Sequence, residues 1–402
     1  MTGPWLSRIP RSWLVLACIA LISLCMRGPI VSVAPVLDTM QAELGFPPVV
    51  LGLLTSIPVL CFSLASPAAA LAGRKFGAEF AVTLTLLGVL AGVVLRSAGP
   101  PAVVLLGTVL IGLAITVGNI CIPLIIRRDV SPRRQGTAMG LYSAFLNVGA
   151  FLTSVVTAPL AELMGWRPAL AAVGILAVLA TAAWAMAFGP RRAFVPVPVP
   201  AAPAPAADAV PVAGVFWITL GLTVGFAGQA FSYYGVTTWL PSFLGDTLGM
   251  SATEAGAGAS IFQVLAILGS LGVPLLAKYW SPTAVALTVA ALWATIPVGL
   301  LLAPSLWWLW CISAGIAQGG GFTIIFSALI KVAPDMAAAG RMSALVQGVG
   351  YFFAAIAPSA VGFVHEQAGN WTPPLLVILG SVLAFGICTT LSVRSAGKRR
   401  PA

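Results

Sequence analysis

Residues 190–213 read PRRAFVPVPVPAAPAPAADAVPVA. Proline fixes φ and removes a backbone donor. A proline at every second or third residue therefore forbids a helix and favours an extended polyproline II connector. The sequence on either side is of another kind. The 402-residue chain is 59% hydrophobic and only 7% charged, whereas a soluble protein is roughly 25% charged. So few charges cannot cover a water-exposed surface, and the main solvent of this chain is lipid. The proline-rich stretch then reads as a semi-rigid linker between two apolar halves, residues 1–189 and 214–402.

A membrane-spanning helix needs about 20 mostly apolar residues. Six such runs precede the linker, at 13–36, 49–71, 79–97, 102–125, 138–161 and 168–188. Six follow it, at 214–238, 254–277, 283–303, 306–330, 342–364 and 373–393. The expected fold class is an all-α integral membrane protein, with twelve transmembrane helices in two six-helix bundles. The first run is too long and too interrupted for a cleavable signal and lacks a cleavage site, so it counts as a span. A barrel would show alternating strands of about ten residues instead.

The charges give the orientation. With the N-terminus inside, 17 of the 20 Lys and Arg fall on the cytoplasmic side, among them Arg127-Arg128, Arg133-Arg134 and Lys398-Arg399-Arg400. The outer loops keep Arg96 and Arg167 together with Asp38, Glu43, Glu162, Asp246, Glu254 and Glu366. This satisfies the positive-inside rule, places both termini in the cytoplasm and implies a cell inner membrane. The net charge of +10 is then mainly a topological label. Its basic groups are scattered between apolar runs, so nucleic acid is not an expected partner.

Arg27 stands apart from this pattern. It lies in ISLCMRGPIVSVAP, residues 22–35, in the middle of the first span. A central arginine costs at least about 2.5 kcal/mol to insert. One reading makes Arg27 a packing lock on helix-end carbonyls. The other has it facing a central cavity and binding an anion, because a guanidinium stays charged and offers paired donors. Gly28-Pro29 follows directly and predicts a local kink. Uncharged polar residues form a supporting set. Gln229 and Tyr233 are four apart, as are Gln347 and Tyr351, and Ser143 and Asn147, so each pair shares a helix face. Asn119 lies in the fourth span, and Gln263 and Gln318 are single amides in the eighth and tenth. Interhelical hydrogen bonding and substrate contact both suit such residues. The paired faces favour a cavity lining of Gln229, Tyr233, Gln347 and Tyr351.

Other chemistries lack their residues. The six cysteines lie in apolar runs without a CxxC, and the chain has one histidine, His365. No metal site and no cofactor are expected. Gly319-Gly320-Gly321 is a packing feature, since no GxxxxGK[ST] exists to hold ATP. An intramembrane enzyme would need a nucleophile and base pair or a metal constellation, so no enzymatic activity is expected. Trp13, Trp217, Trp239, Trp307, Trp308 and Trp310 stand near span ends, as interfacial anchors do.

The two halves echo each other. AlaPro at 158–159 and GlyTrp at 165–166 are answered by AlaPro at 357–358 and AsnTrp at 370–371. Two parallel six-span halves are the organisation of a major facilitator transporter. Several stretches resemble the cyanate/nitroimidazole permease group of that superfamily. They are MetArgGlyProIle at 26–30, GlyAsnIleCysIlePro at 118–123 and SerProArgArgGlnGlyThrAlaMetGlyLeuTyrSer at 131–143. PheSerTyrTyrGlyValThrThrTrpLeuPro at 231–241 and MetSerAlaLeuValGlnGlyValGlyTyr at 342–351 belong with them, as do ProSerAlaValGly at 358–362 and TrpThrProProLeu at 371–375. AlaGlyArgLysPheGlyAla at 72–78 resembles a degraded form of the superfamily's inner-loop motif, with Gly73 where an acid precedes the Arg. The charge relay that gates the inner face in relatives is therefore expected to be weakened.

The function these readings imply is secondary transport of a small organic or inorganic monoanion by a monomer in the lipid bilayer, through rocking of two bundles. Arg27 would supply the charge, and Asn119, Gln229, Tyr233, Gln347 and Tyr351 would orient the substrate. Asp38 and His365 are the candidate coupling groups. The competing reading is efflux of neutral or aromatic, nitroimidazole-like compounds with Arg27 structural.

Overall fold

A computed structural model of the chain describes residues 11–197, 213–333 and 336–398. Regular structure among them is helical throughout. The first apolar run gives α1 (Arg11–Val31), a 3-10 turn at Ala34–Val36 and α2 (Leu37–Leu44). The second gives α3 (Pro48–Leu64) and α4 (Ser66–Phe76), bent by 64° at Ala65. Next come α5 (Ala78–Ala98), α6 (Pro101–Asp129) and α7 (Pro132–Met164). The sixth run breaks at Val173 into α8 (Trp166–Ala172) and α9 (Gly174–Phe188), and a short α10 (Pro190–Phe194) follows. Beyond the linker lie α11 (Ala213–Leu248), then α12 (Ala252–Val264) and α13 (Ala266–Leu276), which together fill the eighth run. The last four are α14 (Pro282–Leu302), α15 (Trp307–Val332), α16 (Met336–Ala368) and α17 (Thr372–Lys398). Eleven stretches among the described residues are long and apolar enough to cross a membrane, and the bent α3–α4 pair makes a twelfth. The chain is a multi-pass membrane protein.

Local chemistry sets the helix ends. α6, α7 and α14 begin with a proline, whose missing N–H is no loss in a first turn. Ser281 accepts from the Ala284 N–H at 3.2 Å. Ser251 and Glu254 close a capping box at the start of α12.

Where the sequence predicts a kink at Gly28-Pro29, α1 continues: Ser32 donates to the Gly28 carbonyl at 2.9 Å, and the helix gives way at Ser32–Val33. Among the described residues, the one pair of successive span helices bent by more than 40° is α3–α4, at Ala65. Two local expectations are corrected. The linker begins with a helix, α10. Pro190 sits in its first turn, where proline is tolerated, and Ala193 is buried and accepts from Thr83 Oγ1 at 2.7 Å. Val197 then donates to the Phe76 carbonyl at 3.0 Å, and residues 198–212 lie outside the described part. Trp239 is buried, with its indole N–H on the Pro358 carbonyl at 2.7 Å, so it is a core residue and not an interfacial anchor.

The chain packs as two compact units, bounded by Met1–Gly45 with Leu64–Ala202, and by Phe46–Ser63 with Pro203–Ala402. In the first, α1 lies along α7 and α5 along α6, and Trp166 and Trp184 are fully buried. In the second, α11 packs on α16 and α17, and α14 on α15 and α17, around Phe226, Phe262, Trp293 and Phe385. This unit also takes in α3. The Thr55 and Thr238 hydroxyls meet at 2.8 Å, and Ser63 Oγ donates to the Gly348 carbonyl at 2.6 Å. Large apolar side chains such as Leu106, Leu179, Leu275 and Leu391 are exposed, as a lipid-facing surface requires.

The sequence echo has a structural counterpart inside each unit. In the first, Trp166 Nε1 donates to Glu43 Oε2 at 2.5 Å. In the second, Trp371 Nε1 donates to Asp246 Oδ2 at 3.0 Å. In both cases an indole beside the fifth helix of a half holds the acid ending the first helix of that half.

Candidate functional site

In the first unit the polar residues converge on α7. Arg27 projects from α1 and is only half-buried. Its Nη1 donates to Asn147 Oδ1 at 2.9 Å. Asn147 is buried, and its Nδ2 donates to the Ser143 carbonyl at 3.1 Å on its own helix. The two bonds agree on the amide's orientation, since its oxygen is the end that can accept from the guanidinium and its nitrogen the end that can donate to the carbonyl. The two helices approach closely enough for a short side chain to reach. A Cβ on Gly149 would collide with the Leu24 backbone, and one on Gly28 would lie 2.8 Å from Thr153 Cγ2. One helical turn away, Asn119 of α6 accepts from Tyr142 Oη of α7 at 2.9 Å.

Arg96 requires a correction. The charge count assigned it to an outer loop, but it lies within α5 and is completely buried. Its Nη1 donates to the Pro29 carbonyl at 2.7 Å and its Nη2 to Ser32 Oγ at 3.4 Å. Arg27 is therefore not the only cation inside the apolar spans. The helix-end carbonyl lock considered for Arg27 is the role that Arg96 fills, at the break where α1 leaves Pro29 O without a helical partner. The run LRSAG at 95–99 looked like a span end because apolar density falls there. Nothing local told the sequence reading that the α1 break lies against it.

In the second unit the polar residues are mostly paired with neighbouring helices. Gln229 is buried and donates through Nε2 to the Gln318 carbonyl of α15 at 3.2 Å. Tyr233 is buried and donates to Gln263 Oε1 of α12 at 2.9 Å, and Gln263 Nε2 donates to Thr237 Oγ1 at 3.1 Å. Phe262 stacks between Tyr233 and Trp293, and Trp293 donates to Ser232 Oγ at 2.7 Å. Gln318 Oε1 is buried without a partner among the described residues. Gln347 does not enter this network; its Nε2 bonds Ser343 Oγ on α16 itself at 3.0 Å. Tyr351 packs edge-on against Phe226 and Phe62.

The two coupling candidates lie near helix ends. Asp38 is exposed in the first turn of α2. His365 stacks on Trp371 at 3.9 Å between ring centroids, near the end of α16. Near the motif that lacks an acid at Gly73, Glu79 in the first turn of α5 pairs with Arg128 at 2.7 Å, and Arg128 pairs with Asp129 at 2.8 Å at the end of α6. Beside that pair lies a cavity of about 180 Å³ lined by Phe76, Phe80, Arg192 and Val197, which none of the candidate residues enters. Among the described residues no group of three or more His, Cys, Asp or Glu could hold a metal ion.

The sequence pairs Asn147 with Ser143 by their four-residue spacing, but that spacing does not say which helix the pair faces, and it gives no signal for Tyr142 as the partner of Asn119.

Comparison with known proteins agrees with this architecture. The profile of the Major Facilitator Superfamily matches residues 16–358. The 2-nitroimidazole transporter of Escherichia coli (strain K12) is 30% identical over 381 residues, covering 93% of this chain and 94% of the relative. The cyanate transport protein CynX of the same organism is 26% identical over 380 residues, covering 92% and 95%. A crystal structure of the peptide transporter POT in complex with alafosfalin superposes with a TM-score of 0.76 at 16% identity, over 95% of each chain, a likeness of fold alone. The chain therefore belongs to the Major Facilitator Superfamily and is a membrane transporter of small molecules, not an enzyme.

Proposed function

We propose that this transporter carries a small organic or inorganic monoanion, cyanate- or carboxylate-like, across the inner membrane by alternating access. It works as a single chain with both termini in the cytoplasm. Its moving parts are the six-helix bundles of residues 1–189 and 214–402, joined by 190–213. The observation that carries the reading is Arg27: a permanent cation inside an apolar helix, only half-buried, held by a neutral amide. Inserting it costs about 2.5–3.5 kcal/mol, and anion binding is a function that justifies the cost. Asn119, Gln229, Tyr233, Gln347 and Tyr351 orient the substrate, and Asp38 and His365 are the candidates for proton coupling. That a relative of similar length is a cyanate transport protein supports the substrate class.

One observation favours the alternative of neutral aromatic efflux with a structural Arg27. The second unit holds a stack of Tyr233, Phe262 and Trp293 among neutral amides, and another relative transports 2-nitroimidazole. Proteoliposomes loaded with wild type or Arg27→Ala decide between the two. Cyanate uptake falling to background in the variant, with a normal elution profile, is the expected result. Unchanged cyanate uptake overturns the anion reading. Transport of 2-nitroimidazole by both proteins alike selects the alternative. Repeating the assay under an imposed pH gradient with Asp38→Asn and His365→Gln assigns the coupling group.

A further inference from the structure

We infer that Asn147 positions the Arg27 guanidinium and keeps the site selective for anions. The inference rests on the reading of Arg27 as the anion-binding charge. Three features of the geometry lead to it. The Arg27 Nη1 to Asn147 Oδ1 bond of 2.9 Å joins α1 to α7 across the unit. The amide's Nδ2 donates to the Ser143 carbonyl at 3.1 Å, while its oxygen, the end that can accept, faces the arginine. Gly28 and Gly149 bring the helices into close contact, so that a side chain as short as asparagine spans from α7 to Arg27.

The choice of a neutral acceptor has a consequence. A guanidinium in a low-dielectric interior needs its donors satisfied, and a long side chain needs something to hold it in one rotamer. Aspartate at this position would do both, but its charge would cancel that of Arg27 and compete with every anion for the same fork. Asparagine occupies almost the same volume, takes up one donor and adds no charge of its own beside Arg27. Asn147 is thus a positioning residue that acts through Arg27 and itself needs no contact with the substrate.

The isosteric pair makes this testable. Purified Asn147→Asp, Asn147→Ala and Asn147→Ser are reconstituted beside wild type and Arg27→Ala, and cyanate uptake is resolved into KM and kcat. The inference expects KM to rise by about tenfold or more in the aspartate variant, because the introduced carboxylate pairs with Arg27. The alanine variant should show a rise of a few fold with kcat within about twofold of wild type, and serine, which keeps a short neutral acceptor, should lie nearer to wild type. A role in packing alone predicts the reverse order, with isosteric aspartate milder than cavity-forming alanine, and that order overturns the inference. If the aspartate variant does not fold, the alanine and serine pair decides: wild-type KM in both overturns it. Should Arg27→Ala itself transport cyanate normally, the anion reading fails first, which is a separate outcome from wild-type kinetics in the Asn147 series beside an inactive Arg27→Ala.

Discussion

Arg96 and Arg27 are both arginines inside apolar helices of one unit, yet their surroundings divide their tasks. Arg96 is completely buried and spends its Nη atoms on the Pro29 carbonyl and Ser32 Oγ. Arg27 is half-buried and shares a donor with a neutral amide. The first arrangement supports a carbonyl that the end of α1 leaves without a backbone partner; the second ties α1 to α7 through a half-buried guanidinium. Arg96→Lys keeps the charge but loses the two-nitrogen fork, so it should destabilise the protein by about 1–2 kcal/mol. A lowered Tm of the purified protein checks this, and an unchanged Tm would show that the fork is not needed. The sequence made Arg27 conspicuous because apolar residues flank it on both sides. It hid Arg96, whose neighbours Ser97 to Pro101 look like a loop. What distinguishes the two is the partner, and the partner of Arg96 comes from a different helix.

At the scale of elements, the contact of α1 with α7 sets the Arg27–Asn147 bond. Gly149 has no room for a Cβ against the Leu24 backbone, whereas Gly140, on the same helix, has open space around it. Gly149→Val should force the helices apart, cost about 1–3 kcal/mol and reduce cyanate uptake by lengthening the Arg27–Asn147 bond. Gly140→Ala should leave both unchanged. Equal melting of the two variants in a thermal unfolding assay would show that the close approach is dispensable. Helix existence was readable from apolar runs, since each run carries its own transfer free energy. Breaks were not. α1 runs on through Pro29 to Val31, the α3–α4 pair bends by 64° at Ala65, and the proline-rich linker opens with α10 because Ala193 has a burial site and an acceptor role waiting on α5.

At the scale of the molecule, the paired tryptophan–carboxylate bonds, Trp166 with Glu43 and Trp371 with Asp246, give the two halves one plan. An even number of spans puts both ends of the chain on one side. Fluorescent or protease-sensitive tags fused at residues 1 and 402 should therefore both report the cytoplasm in intact cells. One tag outside would mean that the α3–α4 pair turns back without crossing.

The sequence by itself determined that lipid is the solvent, that the chain is helical and where the apolar spans fall. Those properties follow from composition and local runs, because inserting a helix into lipid satisfies its backbone bonds within the segment. It also singled out Arg27, because a charge amid apolar neighbours is a local anomaly. The tertiary structure decided which groups meet: Asn147 on Arg27, Arg96 on the α1 break, Gln263 on Tyr233, and α3 in the second unit. A side-chain partner depends on how distant helices approach, and that is set by where two backbones can touch, as at Gly28 and Gly149.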